Sequence, residues 1–140
     1  MQELIIGIPI VPKAQKRARS RIAGKFVQVY KDKDQRNEED NFKAMLYRQL
    51  PQGFTPIQGA VCLTVYAHMP IPKCSLKKYA EYIHGTIPHV KKPDLDNLVK
   101  QVKDCCKGAL WIDDRQVVKL TAVKKYSASP RWRIVVNWEL

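Results

Sequence analysis

A stripe of apolar residues near the middle of the chain constrains the fold more than any other feature. Its members have the spacing of one face of an α-helix: Leu95, Leu98, Val99, Val102 and Cys106. Pro93 disfavours helical backbone at the residue before it, and Gly108 suits the position just past a helix end. The pattern therefore predicts a helix over about 95–108 that packs one face on a core.

A second helix and several strands are predicted around this one. Phe42, Leu46 and Leu50 follow an acidic first turn, so an amphipathic helix is predicted over about 32–50. Alternating or β-branched segments predict strands at about 3–11, 25–30, 59–72, 110–126 and 131–140. The last two strands are predicted to pair across a Ser-Ala-Ser-Pro turn, the first to lie at an edge and the third at the centre.

These elements predict the fold class and the domain organisation. A length of 140 residues is typical of one domain, so residues 1–140 are predicted to form a single compact α+β domain. Its mixed sheet of about four to five strands is packed by the two main helices. Residues 13–24 are predicted to be irregular. A basic loop over about 73–92 precedes the helix at 95–108, and Tyr79 and Tyr82 predict a short helix within it.

The charge of the chain indicates the class of partner. The formal net charge is +12, and from Leu4 to Lys31 there are seven cations and no acid. An uneven excess of this kind favours polyanions and is typical of proteins that bind a phosphate backbone. The residues predicted to contact DNA are Lys13, Lys16, Arg17, Arg19, Arg21, Lys77, Lys78, Lys91 and Lys92.

The expected compartment is the cytoplasm. The first twelve residues lack the pattern of a signal peptide, and no apolar stretch approaches the 18–20 residues that would cross a bilayer, so no membrane is expected as a partner. The four cysteines match no zinc or disulfide framework and are expected to be free thiols.

Against this basic background, five of the thirteen acidic residues crowd into 21 positions: Asp94, Asp96, Asp104, Asp113 and Asp114. Taken singly, each favours a structural role, as a helix cap, a turn residue or the partner of a nearby lysine. Taken together they need a cation, because two carboxylates about 4 Å apart repel by about 4 kcal/mol at an effective dielectric constant of 20. Mg²⁺ is the natural candidate, since it takes carboxylate oxygens and completes its shell with water and substrate phosphate.

Local geometry indicates which of these acids can meet. Asp94 and Asp96 are two residues apart, so in extended backbone they point the same way. Asp96, Lys100 and Asp104 are spaced four apart on the exposed helix face, which places Lys100 between two acids. In a strand, neighbours face opposite ways, so only one of Asp113 and Asp114 can join the group.

The segments "KPDLDNLVKQVKD" and "GALWIDDRQV" resemble the signature of the RusA family of Holliday-junction resolvases. The resemblance is dense from about His89 to Val118 and weaker in "GIPIVPKAQKRARS". It implies a homodimeric, magnesium-dependent endonuclease of phage and prophage origin, in DNA recombination and repair, that nicks four-way junctions symmetrically, with Mn²⁺ as a substitute metal. The "HVKKP" segment departs from the family, some members of which carry an arginine-rich run there.

The resemblance also implies a role for each matching residue. Asp94, Asp96 and Asp114 correspond to the metal-binding, catalytic carboxylates, and Lys100 to the lysine tied to catalysis. Asp104 corresponds to an acid with a supporting role outside the metal ligands. Two alternatives stay open: a non-catalytic nucleic-acid-binding module whose aspartates only cap and pair, and a nuclease acting on flaps or other branched DNA.

Overall fold

A computed structural model describes residues 1–15, 19–23, 26–30 and 33–140 of the chain, with the backbone alone for 19–23 and 26–30. The elements follow in the order β1 (Gln2–Ile8), β2 (Arg19–Ala23), β3 (Phe26–Tyr30), α1 (Lys33–Gln49), β4 (Val61–Pro70), α2 (Leu76–Ile83), α3 (Leu95–Cys106), a short 3₁₀ helix (Asp114–Gln116), β5 (Val117–Ser127) and β6 (Arg131–Trp138). The predicted α+β class and both main helices are confirmed, and α2 is the predicted short helix within the basic loop.

The main sheet has four strands in the order β1-β6-β4-β5. β6 pairs antiparallel with both β1 and β4, whereas β4 and β5 are parallel. The crossover from β4 to β5 contains α2, α3 and the 3₁₀ helix. The predicted mixed sheet, with its first strand at an edge and β4 at the centre, is therefore confirmed.

The predicted pairing of the last two strands was wrong. β6 does not pair with β5 but lies between β1 and β4. Hydrophobic burial favours this order, because Trp132, Ile134 and Val136 of β6 are fully buried. β5 carries lysines on both faces and has no buried residue, so it suits the edge.

The prediction that residues 13–24 are irregular was also wrong in part. Residues 19–23 form β2, which pairs antiparallel with β3 in a separate two-stranded sheet. A basic composition lowered the apparent strand signal there, because charged residues are uncommon in central strands but are tolerated in small exposed sheets.

The helices cover one face of the main sheet. Val61, Leu63 and Val65 of β4 point into a core that also holds Phe42 and Leu46 of α1 and, from α3, Leu98, Val102, Cys105 and Cys106. The predicted stripe of α3 is thus the buried one, with Leu95 half-buried at its start. All four cysteines are free, as expected. No helix in the described ranges is both long and apolar enough to cross a membrane.

Candidate functional site

A pocket of about 330 Å³ lies beside α3, where that helix approaches the edge strand β5. We call it the acidic pocket. Its lining contains three carboxylates, two lysines and two apolar residues: Asp96, Asp104, Asp114, Lys100, Lys103, Val99 and Leu120. The pocket therefore joins acids from α3 with an acid from the 3₁₀ helix that follows it, as a site for a cation and a phosphate requires.

The helix wall of the pocket follows from the rotation of α3. Because Leu98 and Val102 are fully buried, the residues on the other side of the helix must face outward. Asp96, Lys100 and Asp104 lie on that outward side at successive four-residue steps and all line the pocket. The predicted row with a lysine between two acids is confirmed as geometry; its role in catalysis stays a prediction.

Asp104 has a partner from the N-terminal segment. The side-chain amide of Gln15 donates a hydrogen bond to a carboxylate oxygen of Asp104. The backbone N–H of Gln15 also lies 3.5 Å from the carbonyl oxygen of Asn97, near the start of α3. These contacts fix one oxygen of Asp104 against the protein and so fit the supporting role expected of it.

The opposite wall is formed by Asp114 in the 3₁₀ helix. Trp111, which is fully buried, donates from its indole Nε1 to Oδ1 of Asp114 over 3.0 Å. A rigid buried donor holds the carboxylate in one orientation and leaves its other oxygen for the pocket. Trp111 is part of the second motif, but the sequence did not predict the hydrogen bond from its indole N–H to Asp114.

Gln116 holds the turn that carries Asp114. Its side-chain amide nitrogen donates to the carbonyl oxygens of Ile57 and Gly59, over 2.7 and 2.9 Å. Its side-chain oxygen accepts from the backbone N–H groups of Ile112 and Asp113, both over 2.8 Å. One side chain thus ties the turn to the segment before β4, a role that local sequence reasoning missed because Ile57 is 59 residues away.

Asp113 faces its own turn and does not line the pocket. Its carboxylate accepts from the backbone N–H of Arg115 over 3.0 Å, and this hydrogen bond holds the pKa of Asp113 below its usual range. The expectation that only one of the two neighbouring aspartates joins the cluster is confirmed. The reason differs from the expected alternation along a strand, because β5 begins only at Val117. Asp113 instead caps the 3₁₀ helix, and this turns its side chain away from Asp114.

Asp94 occupies the N-cap position of α3 but makes no side-chain capping hydrogen bond and is exposed. It does not line the acidic pocket. The segment just before it is held by Lys124 of β5, whose Nζ donates to the carbonyl oxygens of Lys91 and Pro93 over 2.7 and 2.8 Å. Lys124 is a second positioning residue that the sequence did not reveal, because the contact spans 31 residues.

The donor chemistry of the pocket fits Mg²⁺, because carboxylate oxygens in a solvent-open recess are the ligands that this ion takes. Among the side chains that the structure describes, no three His, Cys, Asp or Glu groups are drawn together closely enough to hold a metal ion. The predicted ligand set of Asp94, Asp96 and Asp114 therefore stays a prediction.

The predicted DNA-contacting residues fall into three groups. Lys13 and Lys78 form ion pairs with Glu38 and Glu81 at 2.9 and 3.7 Å, and the pKa of Lys13 is raised by its hydrogen bond to Glu38. The second group contains Lys77, Lys91 and Lys92, which are exposed and form no salt bridge with another described side chain. Lys16 and Arg17 lie outside the described residues, and Arg19 and Arg21 lie on β2, of which only the backbone is described.

Comparison with known proteins adds two findings. The family model described as Endodeoxyribonuclease RusA matches residues 9–137, which is most of the chain. An uncharacterized protein of Bacillus subtilis (strain 168), YqaN, is 38% identical to this chain over 86 residues, which are 59% of this chain and 61% of YqaN. The chain thus spans less than two thirds of the length of that curated relative.

Proposed function

The chain belongs to the RusA endodeoxyribonuclease family, and from this premise we propose that it is a magnesium-dependent endonuclease that resolves four-way DNA junctions. The observation that carries the proposal is the acidic pocket, in which Asp96 and Lys100 of the first family motif meet Asp114 of the second. A module that only binds nucleic acid has no need to bring three acids into one recess on a protein of net charge +12.

The proposed metal ligands are Asp94, Asp96 and Asp114, with Mg²⁺ as the natural ion and Mn²⁺ as a substitute. When bound, Mg²⁺ supplies Lewis-acid polarisation of a phosphate oxygen and lowers the pKa of a water ligand. Asp96 and Asp114 line the pocket, whereas Asp94 lies outside its lining at the exposed start of α3 and would join them by a change of side-chain rotamer.

The remaining residues of the pocket position and stabilise the reacting phosphate. Lys100, between Asp96 and Asp104, presents a cation to the negative charge that grows on the phosphoryl oxygens as water attacks. Trp111 keeps Asp114 in a single orientation, so little reorganisation is needed during the reaction. Leu120 and Val99 form the apolar part of the wall.

We propose a homodimer as the active form. A four-way junction has approximate twofold symmetry, and two symmetric nicks require two active sites related by a twofold axis. The reaction serves DNA recombination or repair in the cytoplasm, where the free thiols are stable.

The test is a cleavage assay on three substrates of equal total length: a four-way junction, a three-way junction and a linear duplex. We expect paired nicks in the four-way junction only, with Mg²⁺ or Mn²⁺ present and none with a chelator. Equal cutting of the three-way junction would move the substrate class to branched DNA in general. If the protein binds the junction tightly but does not nick it with any divalent metal, the result would support a non-catalytic binding module and not a nuclease.

A further inference from the structure

A cluster of cations lies on the face of the main sheet turned away from α1 and α3. In the pairing of β4 with β6, Tyr66 is opposite Arg133 and His68 is opposite Arg131. In the pairing of β4 with β5, His68 is opposite Lys125. Residues directly opposite each other share a face of the sheet, so these five side chains lie together, and we call them the far-face patch. Lys125 is exposed, His68 is buried and the other three are half-buried.

The patch is ordered by contacts among its own members. Nζ of Lys125 lies 5.7 Å and Cζ of Arg133 lies 5.4 Å from the centre of the Tyr66 ring, so two cations stand over one aromatic side chain. The rings of Tyr66 and His68 are stacked with centroids 6.3 Å apart. Arg131 donates to the carbonyl oxygen of Ser129 over 2.8 Å and to Oγ of Ser127 over 3.3 Å. The cations are therefore held in place before any ligand arrives.

Among the described residues, no acid forms an ion pair with the cations of the patch. None of the ion pairs between described side chains includes Lys125, Arg131 or Arg133. Burial and the positive charges of those same three residues lower the pKa of His68 to about 4, so this side chain is neutral at pH 7. Three permanent cations side by side without a counter-charge are what a polyanion binds best.

A groove lies beside the far-face patch at the end of β5. It has a volume of about 560 Å³, and its lining includes His68 and Lys125 of the patch together with Lys124. Lys124 is the residue whose Nζ binds the carbonyl oxygen of Pro93, next to Asp94. Lys124 therefore links the groove to the segment that precedes Asp94.

We propose that the far-face patch binds the phosphate backbone of one arm of a branched DNA that is bound at the acidic pocket. The inference rests on the proposed function, which supplies a substrate with several arms. A second copy of the chain fits this face poorly, because a twofold interface would place the same cations of both copies against each other.

The test measures junction binding without divalent metal, so that no cleavage intervenes. The double variant Lys125→Ala/Arg133→Ala is compared with Lys43→Ala/Arg48→Ala, which removes the same charge from α1. We expect the patch variant to bind a four-way junction about tenfold more weakly and to lose about one to two units of the slope of log K against log salt. The α1 variant should retain both values, and cleavage at saturating junction should change less than about twofold in either variant.

A single-residue variant and the oligomeric state serve as controls for the double variant. If the double variant unfolds, Lys125→Gln, at an exposed position, should still reduce the salt slope by about one unit. An unchanged affinity and slope in the patch variants overturns the proposal, as does a change of their oligomeric state in sedimentation, which would make this face an interface between copies. Weaker junction binding by the patch variants of a protein that never nicks DNA would leave this inference standing while the nuclease proposal fails.

Discussion

The acidic pocket and the far-face patch are built by different means. The pocket mixes three acids with two lysines, and its walls are fixed by hydrogen bonds from a buried indole and a side-chain amide. The patch contains cations around two aromatic rings, and the register of three neighbouring strands sets their spacing. The difference fits the two proposed roles: the pocket would orient single atoms for a reaction, and the patch would attract an extended charge.

The strongest test of these two roles is Asp96→Asn. We expect cleavage of a four-way junction to fall by about a thousandfold or more, since a proposed metal ligand is lost. Junction binding should be retained or become tighter, because the change removes a negative charge from a DNA-binding surface. Asp113→Asn, in the carboxylate that faces its own turn, is the matched control and should cleave nearly as well as the wild type. Loss of binding together with cleavage in a folded Asp96→Asn protein would argue against separate roles.

Trp111→Phe tests whether the pocket depends on an oriented carboxylate. The change removes the N–H that binds Asp114 and leaves a smaller ring in a fully buried position. We expect kcat to fall by about 10–30-fold and the free energy of unfolding by about 1–3 kcal/mol. Trp132→Phe, also fully buried but without that hydrogen bond, should lose similar stability with little loss of kcat. Equal losses of kcat in both variants would make Trp111 a packing residue only.

Acid titration tests the patch. The pKa of His68 is about 4 in the folded chain against a usual 6.5, so the unfolded chain takes up the proton first as the pH falls. The contribution of neutral His68 to the free energy of unfolding is therefore complete above about pH 6.5 and is lost as the pH falls towards about 4. We expect a loss of about 1–2 kcal/mol over that range, allowing for solvent screening. Urea unfolding of His68→Gln should show a flatter pH profile than the wild type, and an equally steep profile would contradict this origin of the pH dependence.

The smallest expected effect concerns Lys124, which lines the groove beside the far-face patch and binds the segment before Asp94. Lys124→Met removes the hydrogen bonds to the carbonyl oxygens of Lys91 and Pro93. We expect about a threefold fall in kcat and faster hydrogen exchange over residues 91–96, because the segment that carries Asp94 becomes less constrained. Lys119→Met, on the same strand and exposed, should leave the exchange unchanged. If Lys124→Met leaves the exchange of 91–96 at its wild-type rate, Lys124 contributes charge alone.

The sequence predicted those features that depend on local periodicity. The apolar spacing of α3 set its rotation, and this placed Asp96, Lys100 and Asp104 on one face before any tertiary contact was considered. Gly108, with a φ of +85°, ends the segment as expected, because a residue without Cβ takes this conformation at little cost. The family motifs then joined Asp114 to the same site.

Features that depend on contacts between distant residues were not predictable in this way. The Ser-Ala-Ser-Pro turn suggested a hairpin, yet β6 follows its apolar residues into the centre of the sheet and leaves β5 at the edge. The far-face patch exists only because of that order, which brings Arg131 and Arg133 opposite His68 and Tyr66. Likewise, the donor to the carbonyl oxygen of Pro93 lies 31 residues further along the chain.

The edge strand β5 has a consequence for how the gene can change. Leu120 lines the acidic pocket while Lys125 lies over Tyr66 on the other side of the sheet, so the parity of the interval between them decides which site each side chain serves. An insertion or deletion of one codon between these positions would exchange the two faces downstream of it and impair both sites together. A change of two codons would keep the faces and alter only the distance, so natural length variation in this strand should come in pairs.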